Sequence, residues 1–246
     1  MKRLADKRVL ITGGSRGLGR AMALYFAEQG AKVAFSYATD ESAAKQTLAD
    51  ITAAEGMARA YRASVTDAAA IDAMVKTIEG EWGGIDILVN NAGISQSLPI
   101  ALMDEEDWDK VMDTNVKGTY LVANRVLRGM VRRKAGVILN ISSLAGLRLI
   151  ESPIHYSTSK AAIKGFTESL CKEVAAFNIR VNCLAPGLLD EGIGRALPDF
   201  AVKSYLKHLA LHRMGTCAEV ARYAAFLVSD RNSYMNGATV IMDGGF

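Results

Sequence analysis

The chain has only three cysteines, four prolines and two tryptophans among 246 residues. Cys171, Cys183 and Cys217 are widely separated, form no Cys-x-x-Cys pair and have no histidine nearby at metal-ligand spacing. So sparse and odd a set excludes a disulfide framework and gives no metal site. It fits reduced thiols packed as small apolar side chains. No apolar run approaches the roughly 20 residues that a membrane helix needs. The opening Met1-Lys2-Arg3-Leu4-Ala5-Asp6 meets charge too early for a signal-peptide core, so a cytoplasmic location is expected. A dominant charge sign is missing too. Lys and Arg number 29 against 26 Asp and Glu, a net charge of +3 that makes no case for nucleic acid. One basic cluster, Arg132-Arg133-Lys134, stands out.

Half of the residues are hydrophobic, enough for a substantial core. Short β-branched apolar runs alternate with longer stretches of helical spacing. The runs at 8–12, 32–37, 58–63, 85–90, 136–142, 179–185 and 238–242 are expected to be strands. Several are apolar almost throughout, as in parallel strands covered on both faces. Helices are expected at 17–29, 40–55, 67–82, 105–132, 156–177 and 216–229. No Pro/Gly-rich linker interrupts this rhythm. It predicts one α/β domain over 1–246, a doubly wound Rossmann-type fold with a parallel sheet of about seven strands and helices on both faces. Residues 188–211 break the pattern after Pro186-Gly187 and then turn helical. A segment leaving a strand's carboxyl end in this way is expected to form a substrate lid.

The first strand runs into Thr12-Gly13-Gly14-Ser15-Arg16-Gly17-Leu18-Gly19, which opens a helix. Glycines allow the positive φ of such a turn and let backbone approach a pyrophosphate, while the helix N-terminus offers oriented N–H groups. The spacing Gly-x-x-x-Gly-x-Gly is neither the Gly-x-Gly-x-x-Gly fingerprint nor a P-loop. A dinucleotide is the expected ligand. At the end of the second strand, an acid would bond a ribose 2′-OH and repel a 2′-phosphate. Here Ser36 and Tyr37 are followed by no acid until Asp40, and Arg16 brings a guanidinium suited to phosphate. NADPH is therefore expected over NADH.

Tyr156 and Lys160 lie four apart at the start of a helix, so both project from one face. Reducing a ketone requires a proton for the developing alkoxide, and a nearby lysine cation is expected to lower the tyrosine pKa towards a working range. Ser143, in Ile141-Ser142-Ser143, lies at the carboxyl end of a strand where its hydroxyl can hold the substrate oxygen; Ser142 competes for that role. A Ser/His/Asp hydrolase is excluded, since no Gly-x-Ser-x-Gly elbow exists and His155 faces away from its neighbour Tyr156 on the helix.

Thr-Gly-x-x-x-Gly-x-Gly, Asn90-Asn91-Ala92-Gly93, Asn115 within Thr114-Asn115-Val116-Lys117-Gly118, Ser143, Tyr156-x-x-x-Lys160 and Pro186-Gly187 occur together in order. In this the whole chain resembles the short-chain dehydrogenase/reductase family. The resemblance selects Ser143 over Ser142 and implies that Lys160 bonds the nicotinamide ribose. It implies that Asn115 holds a water in a proton relay, and that Asn90 steadies the central sheet and reaches the adenosine side. Cofactor contacts are implied for Gly13, Ser15, Arg16, Gly17, Leu18, Gly19, Ser36, Tyr37, Ser64, Val65, Asn91, Ala92, Gly93, Tyr156, Lys160, Pro186 and Gly187. Ser64-Val65 stands where the family often has Asp-Val.

Within the family the chain most resembles 3-oxoacyl-[acyl-carrier-protein] reductases, through Asp104-Glu105-Glu106-Asp107-Trp108, Asn140-Ile141-Ser142-Ser143, Gly165-Phe166-Thr167 and Arg180-Val181-Asn182. That implies a β-ketoacyl thioester substrate and an acidic carrier protein docking on Arg132, Arg133 and Lys134 near the pocket mouth. It also implies a homotetramer paired through 105–132, 156–177 and the last strand. Two features depart from these reductases: Phe177 replaces a second basic residue, and Leu188-Leu189-Asp190-Glu191 lacks the threonine that contacts the nicotinamide side. A reductase of a free ketone or alcohol, and a catalytically silent dinucleotide sensor, are the competing readings.

Overall fold

The computed structural model describes residues 2–246, with the side chains of 195 and 196 excepted. Seven strands, β1 (Arg8–Ile11), β2 (Lys32–Tyr37), β3 (Met57–Arg62), β4 (Ile87–Asn90), β5 (Gly136–Ile141), β6 (Ile179–Pro186) and β7 (Thr239–Met242), form one sheet. It is parallel throughout, in the order β3-β2-β1-β4-β5-β6-β7. The helices are α1 (Gly17–Glu28), α2 (Glu41–Ala53), α3 (Ala68–Trp82), α4 (Glu105–Met112), α5 (Gly118–Arg133), α6 (Ile154–Val174), α7 (Asp199–Lys207) and α8 (Cys217–Val228). The expected doubly wound Rossmann-type domain is what forms.

The strand alternation decides which helices cover which face. Val9 and Ile11 of β1 join a fully buried cluster with Met22, Phe26 and Phe35 beneath α1 and α8. Leu10, between them, joins Leu88, Ile138, Val122 and Val126 on the other face, beneath α3, α5 and α6. Each such side chain contributes roughly 1.5–3 kcal/mol by leaving water. Both faces being covered explains the nearly unbroken apolar strands.

Two boundaries depart from the sequence reading for identifiable reasons. The fourth strand begins at Ile87, after Asp86, whose backbone bonds Arg8 O and Val137 N and whose carboxylate ties down the backbone N–H and guanidinium of Arg8. The single helix expected at 105–132 is broken by a π-helical turn, Asp113–Lys117. There the side chain of Asn115 bonds outside its own helix, and such turns are frequent at functional sites.

Strand order reverses between β1 and β4, opening a crevice at their carboxyl ends. Helix N-termini gather at this edge and C-termini at the opposite one. Over its 16 residues, α5 carries the chain from one to the other, about 24 Å. Residues 188–211 begin at the crevice, contain a short 3-10 turn and α7, and return beside β6 through the bridge Leu189–Gly215.

Candidate active site

Both Gly13 and Gly17 take left-handed backbone conformations in the turn between β1 and α1, with φ of 67° and 53°. Arg16 precedes α1 in extended conformation, and no side chain caps that helix. Its first N–H groups are therefore available to an anion. The other strand ends close on this turn. The Thr12 hydroxyl accepts from the N–H of both Asn91 and Ala92 at 3.0 Å. The Asn91 amide donates to the carbonyls of Thr12 and Gly13. A Cβ on Gly13 would come within 3.0 Å of Ala92 Cα. Gly14 N donates to Ser36 O at 2.9 Å, which joins the turn to the end of β2. Ser15 is buried and its carbonyl accepts from Thr47, while Leu18 and Tyr37 are half-buried and Arg16 is exposed. Ser64 is hydrogen-bonded to Thr66, and Val65 packs where Gly118 leaves room for it. These residues form an uncapped helix start and a glycine cradle that fit a dinucleotide.

Ser143, Tyr156 and Lys160 come together at the carboxyl edge of β5. Ser142 and Ser143 separate cleanly. The Ser142 hydroxyl is buried and donates to Lys160 O at 2.6 Å, whereas Ser143 lies beside the Tyr156 phenol. The Lys160 ammonium is also buried, donates to Ile141 O at 3.0 Å, and lies 5.8 Å from the centre of the Tyr156 ring. Burial pushes Lys160 down to about 8. The expectation that Lys160 lowers Tyr156 is not met in the protein by itself. Burial raises the phenol pKa, and Ser143 alone opposes it. Desolvation disfavours the phenolate more than a lysine at this distance favours it. The pair thus holds a protonated phenol near neutral pH.

Asn115 is buried, and its side chain is committed on three sides. Oδ1 accepts from Ile94 N at 2.8 Å, and Nδ2 donates to Ile94 O and to Ser159 Oγ, both at 2.9 Å. Ser159 Oγ in turn donates to Tyr156 O at 2.7 Å. A chain of hydrogen bonds therefore runs from the π turn to α6, at the residue that carries the Tyr156 phenol. A Cβ on Gly93 would lie 3.2 Å from Asn115 Oδ1 and 3.3 Å from Lys160 Nζ, so backbone passes close over both. Sequence reasoning missed Ser159 and Thr12. The signals were present: a small hydroxyl residue immediately before Lys160, and the threonine that opens the glycine motif.

Asn90 is buried and donates to Asn140 Oδ1 at 2.9 Å across β4 and β5, which is the expected sheet role. Its Oδ1 has no hydrogen-bond partner among the described residues. Pro186 is buried at the end of β6, and Gly187 N donates to Met242 O at 2.8 Å. His155 is fully buried, with Nδ1 accepting from Tyr156 N and Nε2 without a hydrogen-bond partner among the described residues.

The placing of Arg132, Arg133 and Lys134 at the pocket mouth needs correction. They end α5, which runs antiparallel to the strands, and so lie at the amino edge of the sheet. Arg133 folds back to donate to Ile85 O and pair with Glu79, while Arg132 and Lys134 are exposed. Among the described residues no helix is long and apolar enough to cross a membrane, and no His/Cys/Asp/Glu cluster could hold a metal.

A family model described as Enoyl-(Acyl carrier protein) reductase matches residues 13–246. A 3-oxoacyl-[acyl-carrier-protein] reductase of Chlamydia muridarum is 40% identical over 243 residues, covering 98% of both chains. One from Staphylococcus aureus is 37% identical over 239 residues, covering 97% of both. Among solved structures, a short-chain dehydrogenase from Burkholderia cenocepacia in complex with NADP is 32% identical, with a TM-score of 0.92 over 99% of this chain and 98% of that one. A short-chain dehydrogenase/reductase from Serratia marcescens superimposes with a TM-score of 0.92 at 30% identity, covering 99% of both chains. With the glycine cradle, the buried lysine and the tyrosine already at one strand edge, these likenesses lead to one conclusion: the chain is an oxidoreductase belonging to the short-chain dehydrogenase/reductase family.

Proposed function

We propose that the protein reduces the ketone of a β-ketoacyl thioester to the 3-hydroxyacyl form, with NADPH as cofactor. The convergence of Ser143, Tyr156 and Lys160 beside the glycine cradle carries this reading. When bound, NADPH would supply the hydride that the ketone carbon receives. The Ser143 hydroxyl holds the substrate oxygen against Tyr156. The Tyr156 phenol, protonated near neutral pH, gives its proton to that oxygen as the C–O bond becomes single. Lys160 is desolvated beneath it and returns a proton to the phenolate. Both Nδ2 hydrogens of Asn115 are used and Oδ1 is engaged by Ile94 N, so the relay role is assigned here to the main-chain carbonyl. That carbonyl already accepts from Thr119 Oγ1 and retains a second lone pair for a water.

Support for NADPH comes from Arg16, exposed at the cradle, and from the absence of an acid at Ser36-Tyr37. The NADP complex of the Burkholderia cenocepacia relative agrees. Support for an acyl substrate comes from the likeness to 3-oxoacyl-[acyl-carrier-protein] reductases and from the rim of the crevice. Ile100, Leu102, Leu149, Ile193 and, on α7, Phe200 are all exposed on segments that follow strand ends at the carboxyl edge. Residues 188–211 act in this reading as the lid, with Gly192 against Gly17 of the cradle. A carrier docked on Arg132 and Lys134 would stand about 24 Å from the same chain's crevice. Carrier docking there therefore requires a multimer in which the patch serves a neighbouring subunit. In this reading the chain assembles as a homotetramer, with the depression between α5 and α6, where Leu127, Val131 and Phe177 lie beside Arg128 and Glu173, assigned to its interface, and the reaction is assigned to the cytoplasm.

The test is NADPH oxidation with carrier-linked and free β-ketoacyl substrates of graded length. Turnover on both, with preference for the carrier-linked form, is expected. Tyr156→Phe should abolish turnover while NADPH still binds. Turnover on free ketones only would replace the thioester by the competing ketone-reductase reading. No turnover on any ketone would leave a dinucleotide-sensing protein.

A further inference from the structure

None of the residues of α7 is buried. Its inner face, Ala201, Val202, Tyr205 and Leu206, is only half-buried, and a nine-residue helix with so shallow a face is marginal by itself, so contacts at its end add to what holds it in place. Those contacts come from the residues after β7. Gly244 O and Gly245 O accept from Leu211 N and Ala210 N, both at 3.1 Å. The Phe246 ring stacks on Tyr205 of α7 with centroids 5.1 Å apart and an interplanar angle of 28°. It also meets His208 at 6.0 Å. Tyr205 then reaches back to the start of the excursion, where its hydroxyl oxygen accepts the Leu188 N–H at 3.3 Å. A Cβ on Gly187 would come within 2.9 Å of that hydroxyl, so glycine is what lets the phenol sit over the backbone there.

We propose that Tyr205 and Phe246 form a pin that seats α7 and holds the Gly187-Leu188 backbone, making both of them positioning residues for the nicotinamide side of the site. The inference rests on the dinucleotide reading given above. It accounts for a departure in the sequence: Leu188-Leu189-Asp190-Glu191 has no threonine with which to grip the cofactor. The backbone at this point is instead fixed from behind. Gly187 N bonds Met242 O, Leu188 N bonds Tyr205, and Leu188 O and Asp190 N bond Gly215. Asp190 also accepts from Cys217 N at 3.0 Å. Tyr205 is the only one of these partners contributed by the lid. The state of the lid and the position of Leu188 are therefore coupled through one phenol, and Phe246 sets that phenol's orientation.

Two variants separate the parts of the pin. Phe246→Ala removes the stack, and Tyr205→Phe keeps the stack but removes the hydroxyl. In the cofactor-free protein, Phe246→Ala should speed protease cleavage within 188–211 about tenfold, and Tyr205→Phe should leave it near wild type. Both should raise the NADPH dissociation constant and KM by roughly three- to tenfold with kcat within about twofold, as expected for loss of one neutral contact. Phe246→Tyr should restore both readouts. The pin is overturned if Phe246→Ala leaves lid cleavage unchanged. It is equally overturned if Tyr205→Phe lowers kcat while NADPH affinity stays at wild type. Were the wild-type protein inactive on every ketone, the proposed function would fail, while the cleavage rates of the cofactor-free protein would still decide on the pin.

Discussion

Replacing Lys160 by methionine is expected to stabilise the protein near neutral pH while removing its activity. Lys160 is buried and its pKa falls from 10.5 to about 8. Holding the proton in the folded state therefore costs about 3 kcal/mol. The sign follows from proton counting. Between about pH 8 and 10.5 the unfolded chain binds more protons than the folded one, so stability rises with pH across that window, and the whole penalty is present below it. Methionine fills the space of the lysine stem but leaves Ile141 O without its donor, a loss of about 1 kcal/mol. The net gain at pH 7 is about 2 kcal/mol, or roughly 4–8 °C in Tm for a domain of this size. At about pH 9.5 the wild type has recovered about 2 kcal/mol, so the two proteins should melt together. Thermal or urea unfolding of both proteins at the two pH values is the assay. A variant less stable than wild type at neutral pH, or a gap that does not shrink on going alkaline, would refute the reasoning.

Arg16→Ser should weaken NADPH binding about tenfold or more and leave NADH unchanged, since only the 2′-phosphate loses a charge-assisted partner; fluorescence titration of both cofactors checks it, and an equal loss for both would count against the assignment. Ser159→Ala interrupts the path from Asn115 to Tyr156. It should lower kcat about tenfold while NADPH KM stays within about twofold, whereas unchanged kcat would make the path purely structural. Thr216→Ala removes the capping box at the start of α8, where Thr216 and Glu219 bond reciprocally and Arg213 grips the carboxylate. A loss of about 1 kcal/mol in urea unfolding with activity intact is expected, and a fall in activity would mean that α8 reaches the site.

The parallel sheet, its seven strands and the glycine turn were legible because they rest on local regularities: apolar runs of strand length, helical spacing between them, and glycines where the backbone turns sharply. Tyr156, Lys160 and Ser143 were legible for the same reason, each in a motif at a strand end. The break in the helix at Asp113–Lys117 was not, since it arises when Asn115 finds Ile94 and Ser159, partners distant in sequence. The direction of the Tyr156 shift also escaped a reading by spacing, because burial depends on what surrounds the ring and not on its distance from Lys160 along the helix. Charge and the family resemblance together place Arg132 and Lys134 at the pocket mouth as a docking patch, whereas the antiparallel course of α5 puts them at the other edge. The sequence by itself determined the architecture and the chemical group at the strand ends. Only the tertiary structure decided how that group is protonated, what braces it, and which edge of the sheet each charge occupies. Desolvation and long-range hydrogen bonds exist only once the chain has folded.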